Sequence, residues 1–515
     1  MLIFNLLNSN LLNSNLVNLN LAIFYRDILL PDTIIAENLT KRLQYDKFNR
    51  VDCNVTDWRV VLLMDAHTKA RYDEWRWKRI KKRVILPGVI LLCAVILLVF
   101  GIVSCNRRED DRELPESDPA EEHESETIPE SEPEVDAAEA RIQFVGDILL
   151  HPTYPGSVEI ARTGDNTFDF NPFLSYIAPY IDGDLSIANM ETPVDVMGQN
   201  QDLTSFPLFN VPYEILEALQ YAGFNHLISA NNHSFDRGFE GLVATVNNFE
   251  RAGIDHTGMY IDEVAFGNST ILDINGIQVG IIAYTDSVNG MEGIVPEAMR
   301  PFAVRRFRSY VLDDIPHMAT DIANLRATGA ELVIVALHWG AEYVDKPTEM
   351  QRLIARELSE VGADVIMGKH SHTVQPMEWY EREDGSQSLI MYSLGNFLAD
   401  QTRLTSASVE SQINDSWGGH QFIGRTQFGK MVNLQVSRGT DGEITLEADV
   451  LPTLTMRDFS GSTLGTVNGV TVLPLFGGEA PEFVTDEDLR NWGRAAYNHV
   501  VEIVGEDFIV GSSTY

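Results

Sequence analysis

The chain has 515 residues and a formal net charge of −37. That length allows more than one structural unit, and that charge excludes nucleic-acid binding through a basic surface. The three cysteines, Cys53, Cys93 and Cys105, all precede residue 106, so the large remainder has no internal disulfide, no cysteine nucleophile and no thiolate metal site.

Residues 1–63 read as a low-complexity extension, marked by a Leu/Asn/Ser repeat from Asn5 to Asn20. Translation from Met64 would leave it out of the protein; the other reading is a cytoplasmic extension. Residues 64–83 form a cytoplasmic basic segment that ends in Arg76-Trp77-Lys78-Arg79-Ile80-Lys81-Lys82-Arg83. Residues 84–105 are almost wholly apolar, and about 20 such residues suffice to cross the hydrocarbon core as a helix. The basic flank stays in the cytoplasm, so everything after Cys105 is expected outside the cell on a single-pass membrane anchor. Ile102-Val103-Ser104-Cys105 also resembles a lipoprotein signal, which would leave a lipid on Cys105 instead. Residues 106–139 are rich in Glu, Asp, Pro and Ser and contain no aromatic residue. Such a stretch buries too little apolar surface to fold, so a disordered acidic linker is expected.

From residue 140 strand-length apolar runs alternate with helical segments. Four junctions share one grammar, a helix, a glycine, then a strand: Tyr221-Ala222-Gly223, Arg251-Ala252-Gly253, Ala327-Thr328-Gly329 and Glu360-Val361-Gly362. Glycine accepts the left-handed conformation that closes a helix. Pro212 and Pro347 are placed in the first turns of the helices ending at Gly223 and Gly362. Met350, Ile354, Leu358 and Val361 make one apolar stripe on the second of these. The alternation predicts α/β architecture. After residue 430, Val432–Val436 and Ile444–Ala448 read as a β-hairpin turning through Gly439–Gly442. Leu489, Trp492, Ala496, Val500 and Ile503 mark a final helix. The expected units are therefore residues 140–430 and a C-terminal hairpin and helix, 431–515, packing on them.

The strand ends carry the chemistry. Ile142–Val145 leads to Gly146-Asp147, Leu185–Ala188 to Asn189-Met190-Glu191, and His226–Ile228 to Asn231-Asn232-His233-Ser234-Phe235-Asp236. Val279–Tyr284 leads to Asp286, Leu332–Leu337 to His338, Asp364–Met367 to Gly368-Lys369-His370-Ser371-His372, and Leu389–Tyr392 to Gly395-Asn396. Singly each has a plain explanation. Asp147 fits a turn, Asn231 or Asn232 a helix cap, His338 a core histidine, Glu342 a salt bridge or equally a group supporting the site, Trp339 and Tyr343 packing or pocket wall. Seven such endings in succession instead put oxygen and imidazole ligands at one sheet edge, where open α/β sheets bind ligands. With no cysteine available, that set suits Mn, Fe or Zn, as one or two divalent ions. Two metals about 3.5–4 Å apart, bridged by a carboxylate and a hydroxide, form a hydrolytic device.

The ordered motifs Gly146-Asp147, Asn189-Met190-Glu191, Asn231–Gly238, His338–Tyr343, Gly368–His372 and Ser393–Phe397 resemble those of the CapA family of bacterial capsule, or poly-γ-glutamate, synthesis proteins, within the calcineurin-like metallophosphoesterase superfamily. The resemblance runs from about Ile142 to Gln401. It implies a four-layer α/β/β/α metallophosphoesterase-like sandwich, two mixed sheets face to face with helices outside. It also implies metal ligands at Asp147, Glu191, Asn232, His338, His370 and His372, with Glu191 bridging where the superfamily usually has aspartate. His233 resembles the histidine that protonates the leaving group, oriented by Asp236. One position departs: the histidine expected two residues after the first aspartate is Leu149 here, and His151 is offset by two.

Two functions follow. One is a membrane-anchored extracellular component of capsule or poly-γ-glutamate biosynthesis or export, carrying a divalent-metal site and partnered with an anionic envelope polymer or the capsule-synthesis machinery. The other is an active metal-dependent phosphoesterase, or a hydrolase of an envelope polymer, using a metal-activated hydroxide. Leu149 and the family favour the first; the intact Asn232-His233-Asp236 set favours the second.

Overall fold

The computed structural model describes residues 136–152, 157–268, 270–401, 424–457, 470–478, 484 and 487–509. The expected extension, basic segment, membrane anchor with Cys105, and linker up to residue 135 lie outside the described residues. Among the described residues no helix is long and apolar enough to cross a membrane.

The strands, in chain order, are β1 (Ala138–Leu149), β2 (Arg162–Gly164), β3 (Thr167–Phe168), β4 (Leu185–Met190), β5 (His226–Ile228), β6 (Asp255–Thr257), β7 (Thr270–Ile274), β8 (Ile277–Thr285), β9 (Leu332–His338), β10 (Val365–Lys369), β11 (Met377–Glu381), β12 (Gln387–Met391), β13 (Asn396–Ala399), β14 (Phe428–Arg438), β15 (Ile444–Arg457) and β16 (Val470–Pro474). The longer helices are α1 (Glu214–Ala222), α2 (Gly238–Ala252), α3 (Ile315–Ala327), α4 (Glu349–Glu360) and α5 (Glu487–Val504).

Two mixed sheets result. The first runs β16-β15-β14-β1-β4-β5-β6, with β13 also paired to β1; the second runs β11-β12-β10-β9-β8-β7. β1, β4, β5 and β6 are mutually parallel, as are β8, β9, β10 and β12, while β14, β15 and β16 continue the first sheet antiparallel. β9 shows why the pattern reads as it does. Leu332-Val333-Ile334-Val335-Ala336-Leu337 is apolar throughout because both faces of a central parallel strand are covered. Ile334 and Ala336 face a core shared with Phe144, Ile187 and Ile228 of the first sheet. Val333, Val335 and Leu337 face Met318, Ile322 and Leu325 of α3 and Ile354 and Leu358 of α4. On the far side, Val145, Ile148, Ala188 and Met190 pack against Ile215 and Leu219 of α1 and Phe249 of α2. The period-2 alternation of each strand thus feeds an inner and an outer apolar layer.

The glycine grammar holds: Gly223, Gly253, Gly329 and Gly362 are all left-handed, with φ of 107°, 68°, 109° and 109°. The prolines need correction. Pro212 precedes the N-cap Tyr213, and Pro347 precedes the N-cap Thr348, so both lie outside the first turn. Thr348 and Gln351 form a reciprocal capping box that starts α4 instead. The C-terminal hairpin is β14 and β15, with Val436 opposite Leu446. β14 also pairs with β1 from Ala138↔Arg438 to Phe144↔Val432, so the hairpin is continuous with the first sheet. Trp492, Ala496 and Val500 of α5 are buried in the same core cluster as β14 and β15 residues.

Lys430 on β14 is wholly buried, its Nζ donating to Gln375 O at 2.8 Å. Burial alone pushes its ammonium down to about 7, whereas in the unfolded chain it titrates at about 10.4. Between those values the unfolded chain holds a proton that the fold does not, so stability falls as pH drops from about 10 towards 7. Lys430→Met removes this term. Its Tm relative to wild type should therefore become steadily more favourable between pH 10 and pH 7.5, by thermal melts of the full chain; a pH-independent difference would refute the buried-ammonium account.

Candidate metal centre

Asp147 lies near the end of β1, Glu191 one residue past β4, and Asn232 and His233 in the turn that separates β5 from α2. His338 ends β9, and His370 and His372 follow β10. The candidate ligands therefore come from the ends of strands in both sheets. The single-edge arrangement expected from the strand endings is corrected: the cluster forms where the two sheets face each other.

The segment Ser393–Asn396 stitches the sheets together there. Asp147 N donates to Gly395 O at 3.0 Å and Leu394 N to Gly368 O at 3.2 Å. A Cβ on Gly146 would overlap Gly395 O, and one on Gly368 would overlap Tyr392 O. Only glycine permits these approaches, one in each sheet. Left-handed backbone at His370 (φ 94°), His372 (φ 55°) and Tyr343 (φ 63°) adds strain around the same point. Such residues cost of the order of 1–3 kcal/mol each and persist where the surroundings over-determine them.

Within the cluster, Asn189 Nδ2 donates to Asp147 Oδ1 at 2.7 Å and lies 3.5 Å from Glu191 Oε2. His372 Nδ1 is 3.2 Å from Asp147 Oδ2, and His372 Nε2 is 3.8 Å from Glu191 Oε1. His338 Nε2 is 2.8 Å from Asn232 Oδ1 and 3.5 Å from Glu191 Oε1. The His338 and His370 rings are 4.5 Å apart. Three overlapping triples bring their ligand atoms within 4.8 Å of one another: Asp147/Glu191/His372, Glu191/His338/His370 and Glu342/His370/His372. All six expected metal ligands are thus brought together.

The polar accounting fits a cation. Glu191 Oε1, His338 Nδ1 and His370 Nδ1 are buried without a hydrogen-bond partner, a rare condition for buried polar atoms. Glu191 Oε1 faces two imidazole nitrogens at distances too long for good hydrogen bonds. The electrostatics agree. Burial and the neighbouring Asp147 carboxylate push Glu191 well above the usual carboxylate range, against the pull of His372. Burial opposes a charged His372, yet Glu191 and Asp147 carry it up to about 9. Burial and then His370 hold His338 well below the usual imidazole range; burial and His372 lower His370. Carboxylates, an amide oxygen and imidazoles make a donor set for Mn, Fe or Zn.

His233 and Asp236 sit beside the cluster, and His233 follows Asn232 directly in the chain. His233 Nδ1 is 2.8 Å from Asp236 Oδ2, which also accepts from Phe209 N at 2.9 Å. The Phe209 ring meets His233 edge-on at 4.7 Å. The imidazole is therefore clamped by a carboxylate on one side and a ring on another. His151 belongs to neither set. Its backbone N donates to Asp400 Oδ2 at 2.6 Å and its ring contacts Phe209 at 5.0 Å. Leu149 is buried with Phe209 and Ala399.

Three supporting residues were not given roles by sequence reasoning. Asn189 serves both carboxylates. Lys369 is wholly buried, its Nζ donating to Ala230 O at 3.0 Å, and burial lowers it to about 7 although Asp147 and Glu191 pull the other way. Asn396 Nδ2 donates to Gln401 Oε1 at 3.1 Å and Thr426 O at 2.8 Å, which turns its Oδ1 to His372 Nδ1 at 3.0 Å. In the neutral imidazole that network places the proton on Nδ1, which leaves the Nε2 lone pair facing Glu191. All three lie in motifs visible in the sequence, but residue type alone does not separate a ligand from the group that holds it.

The sequence signature of the family described as "Bacterial capsule synthesis protein PGA_cap" matches residues 141–401. The PGA biosynthesis protein CapA of Bacillus subtilis (strain 168) is 30% identical over 259 residues, covering 50% of this chain and 63% of that protein. The capsule biosynthesis protein CapA of Bacillus anthracis is 29% identical over 279 residues, covering 53% and 64%. The match spans less than two thirds of the length of either relative. A crystal structure titled as a novel phosphatase from Mycoplasma pneumoniae covers 61% of this chain and 94% of that one, with 14% identity and a TM-score of 0.34, too loose a likeness to carry weight.

Asn396→Leu strands Gln401 Oε1, Thr426 O and the His372 N–H in a buried site. It should cost about 1–3 kcal/mol in denaturant unfolding of the full chain and weaken Mn2+ binding by about 10- to 100-fold. Unchanged stability and unchanged affinity would show that Asn396 does not hold His372.

Proposed function

The chain belongs to the bacterial capsule synthesis protein family PGA_cap, and on that premise we propose that it takes part in capsule or poly-γ-glutamate biosynthesis or export as a membrane-anchored extracellular protein with a divalent-metal site. The observation that supports the metal most strongly is Glu191, whose buried, unpartnered Oε1 is flanked by His338 Nε2 and His372 Nε2. Asp147, Glu191 and His372 would hold one ion; Glu191, Asn232, His338 and His370 would hold a second, giving the metallophosphoesterase-like arrangement that the motifs imply. A bound divalent ion supplies Lewis-acid polarisation of a phosphoryl or acyl oxygen and activation of water.

The protein's own groups set what surrounds that chemistry. Asn396 orients His372, Asn189 fixes both carboxylates, and Lys369 places a cation-forming group beside them. The membrane anchor rests on residues 84–105 with their basic flank, and extracellular placement follows from it. The formal charge of −37 opposes close approach of an anionic polymer. Divalent cations would bridge that repulsion, which gives a metal site a use even without turnover.

A second reading, an active phosphoesterase or envelope-polymer hydrolase, is favoured by the His233–Asp236 pair at 2.8 Å. A histidine so oriented can donate a proton to a leaving group, a contribution of about 10²–10⁴-fold where it operates.

Elemental analysis of the purified full chain beside the Glu191→Gln/His372→Ala double variant tests the metal site. Wild type should retain divalent metal after gel filtration and the variant should lose it; equal content in both would overturn the proposal. A phosphodiester assay separates the two readings. Turnover lost by about 100-fold or more in His233→Ala makes the protein a hydrolase, whereas a metal-loaded wild type without turnover, and a capsule defect when residues 84–105 are deleted, supports the biosynthetic role.

A further inference from the structure

Counting donors from the strand ends leaves the two halves of the centre unequal. The half around His338 has Glu191, Asn232, His338 and His370. The half around Asp147 has only Asp147, Glu191 and His372, because position 149 is a leucine committed to packing with Phe209 and Ala399. His151 does not make up the deficit, since its ring packs on Phe209 and it appears in none of the ligand triples among the described residues.

We propose that Glu342 supplies the missing ligand, closing the solvent side of the centre in place of a first-strand histidine. This rests on the metal-site reading above. The Glu342 carboxylate lies with His370 and His372 in a triple whose ligand atoms are all within 4.8 Å of one another. The two histidines are buried and Glu342 is exposed, so the third side of this triple opens to solvent. His370 is counted with the half around His338 and His372 with the half around Asp147, so the Glu342 carboxylate lies within reach of both. The loop that carries Glu342 is anchored at both ends. Gly340 N donates to Asp286 Oδ2 at 3.2 Å, and Tyr343 N donates to Ser371 O at 2.7 Å, between the two histidines. Left-handed Gly340 (φ 92°) and Tyr343 (φ 63°) turn the chain on either side of Glu342. A carboxylate there adds a hard oxygen to a nitrogen-rich side, which suits Mn2+ or Fe. It also differs from a strand-borne histidine in kind: a ligand on a solvent-facing loop can yield its position to an arriving substrate oxygen.

The test titrates metal-stripped full chain with Mn2+, reading free Mn2+ by electron paramagnetic resonance. Wild type, Glu342→Gln and Glu342→Asp are compared. Glu342→Gln should retain the tighter Mn2+ and weaken the other by about 10- to 100-fold, the range seen when a supporting partner of a ligand is lost. Glu342→Asp keeps the charge but withdraws the carboxylate by one methylene. Ligation predicts that it too is impaired, whereas a field effect alone predicts wild-type binding and would overturn the proposal. Glu342→Gln matching a wild type that binds Mn2+ overturns the Glu342 assignment and leaves the metal-site reading standing. A wild type that binds no Mn2+ overturns both.

Discussion

Two carboxylates of like charge, Asp147 and Glu191, are buried side by side with no exposure to water. Burying one ion costs several kcal/mol, and the mutual repulsion of two adds to it. The surroundings are arranged as compensation. Asn189 donates between them, Lys369 lies nearby, and their field works against burial to carry His372 up to about 9. A stability-driven core would have replaced such a pair with apolar side chains. Retaining it makes sense where a dication takes over the compensation, and the unpartnered Glu191 oxygen sits where two imidazoles converge.

The fold can be seen as the means of assembling that pair with its imidazoles. No single sheet presents all six candidate ligands. Asp147, Glu191 and Asn232 come from the first sheet, and His338, His370 and His372 from the second. Joining them takes a close backbone passage, made by Ser393–Asn396 between Gly146 and Gly368. The same segment delivers Asn396 to His372. One short stretch therefore joins the sheets, demands glycine on both flanks and sets a ligand's tautomer.

Much of this was legible in the sequence, for local reasons. Helices that end at Gly223, Gly253, Gly329 and Gly362 announce themselves because only glycine takes that backbone cheaply. The residues that converge were legible because a polar cluster ending an apolar run is a local pattern, and because six such clusters in order resemble one family. What escaped was non-local. Strand endings do not say which sheet a strand joins, so one edge was expected where two meet. Asn396 and Asn189 read as ordinary strand-end amides until their partners are seen. Pro212 and Pro347 were placed in the first turns, whereas each sits one residue before the N-cap, Tyr213 or Thr348. Glu342 read equally as a salt-bridge partner or as a group supporting the site, because its nearness to His370 and His372 comes from the fold and not from spacing.

The central claim is that residues from both sheets bind a divalent ion directly. X-ray absorption at the manganese edge of the Mn2+-loaded full chain measures this most directly. The account predicts a mixed nitrogen and oxygen shell with the outer scattering of imidazole rings, lost in Glu191→Gln/His372→Ala. A spectrum of water oxygens alone, without imidazole scattering, would contradict it.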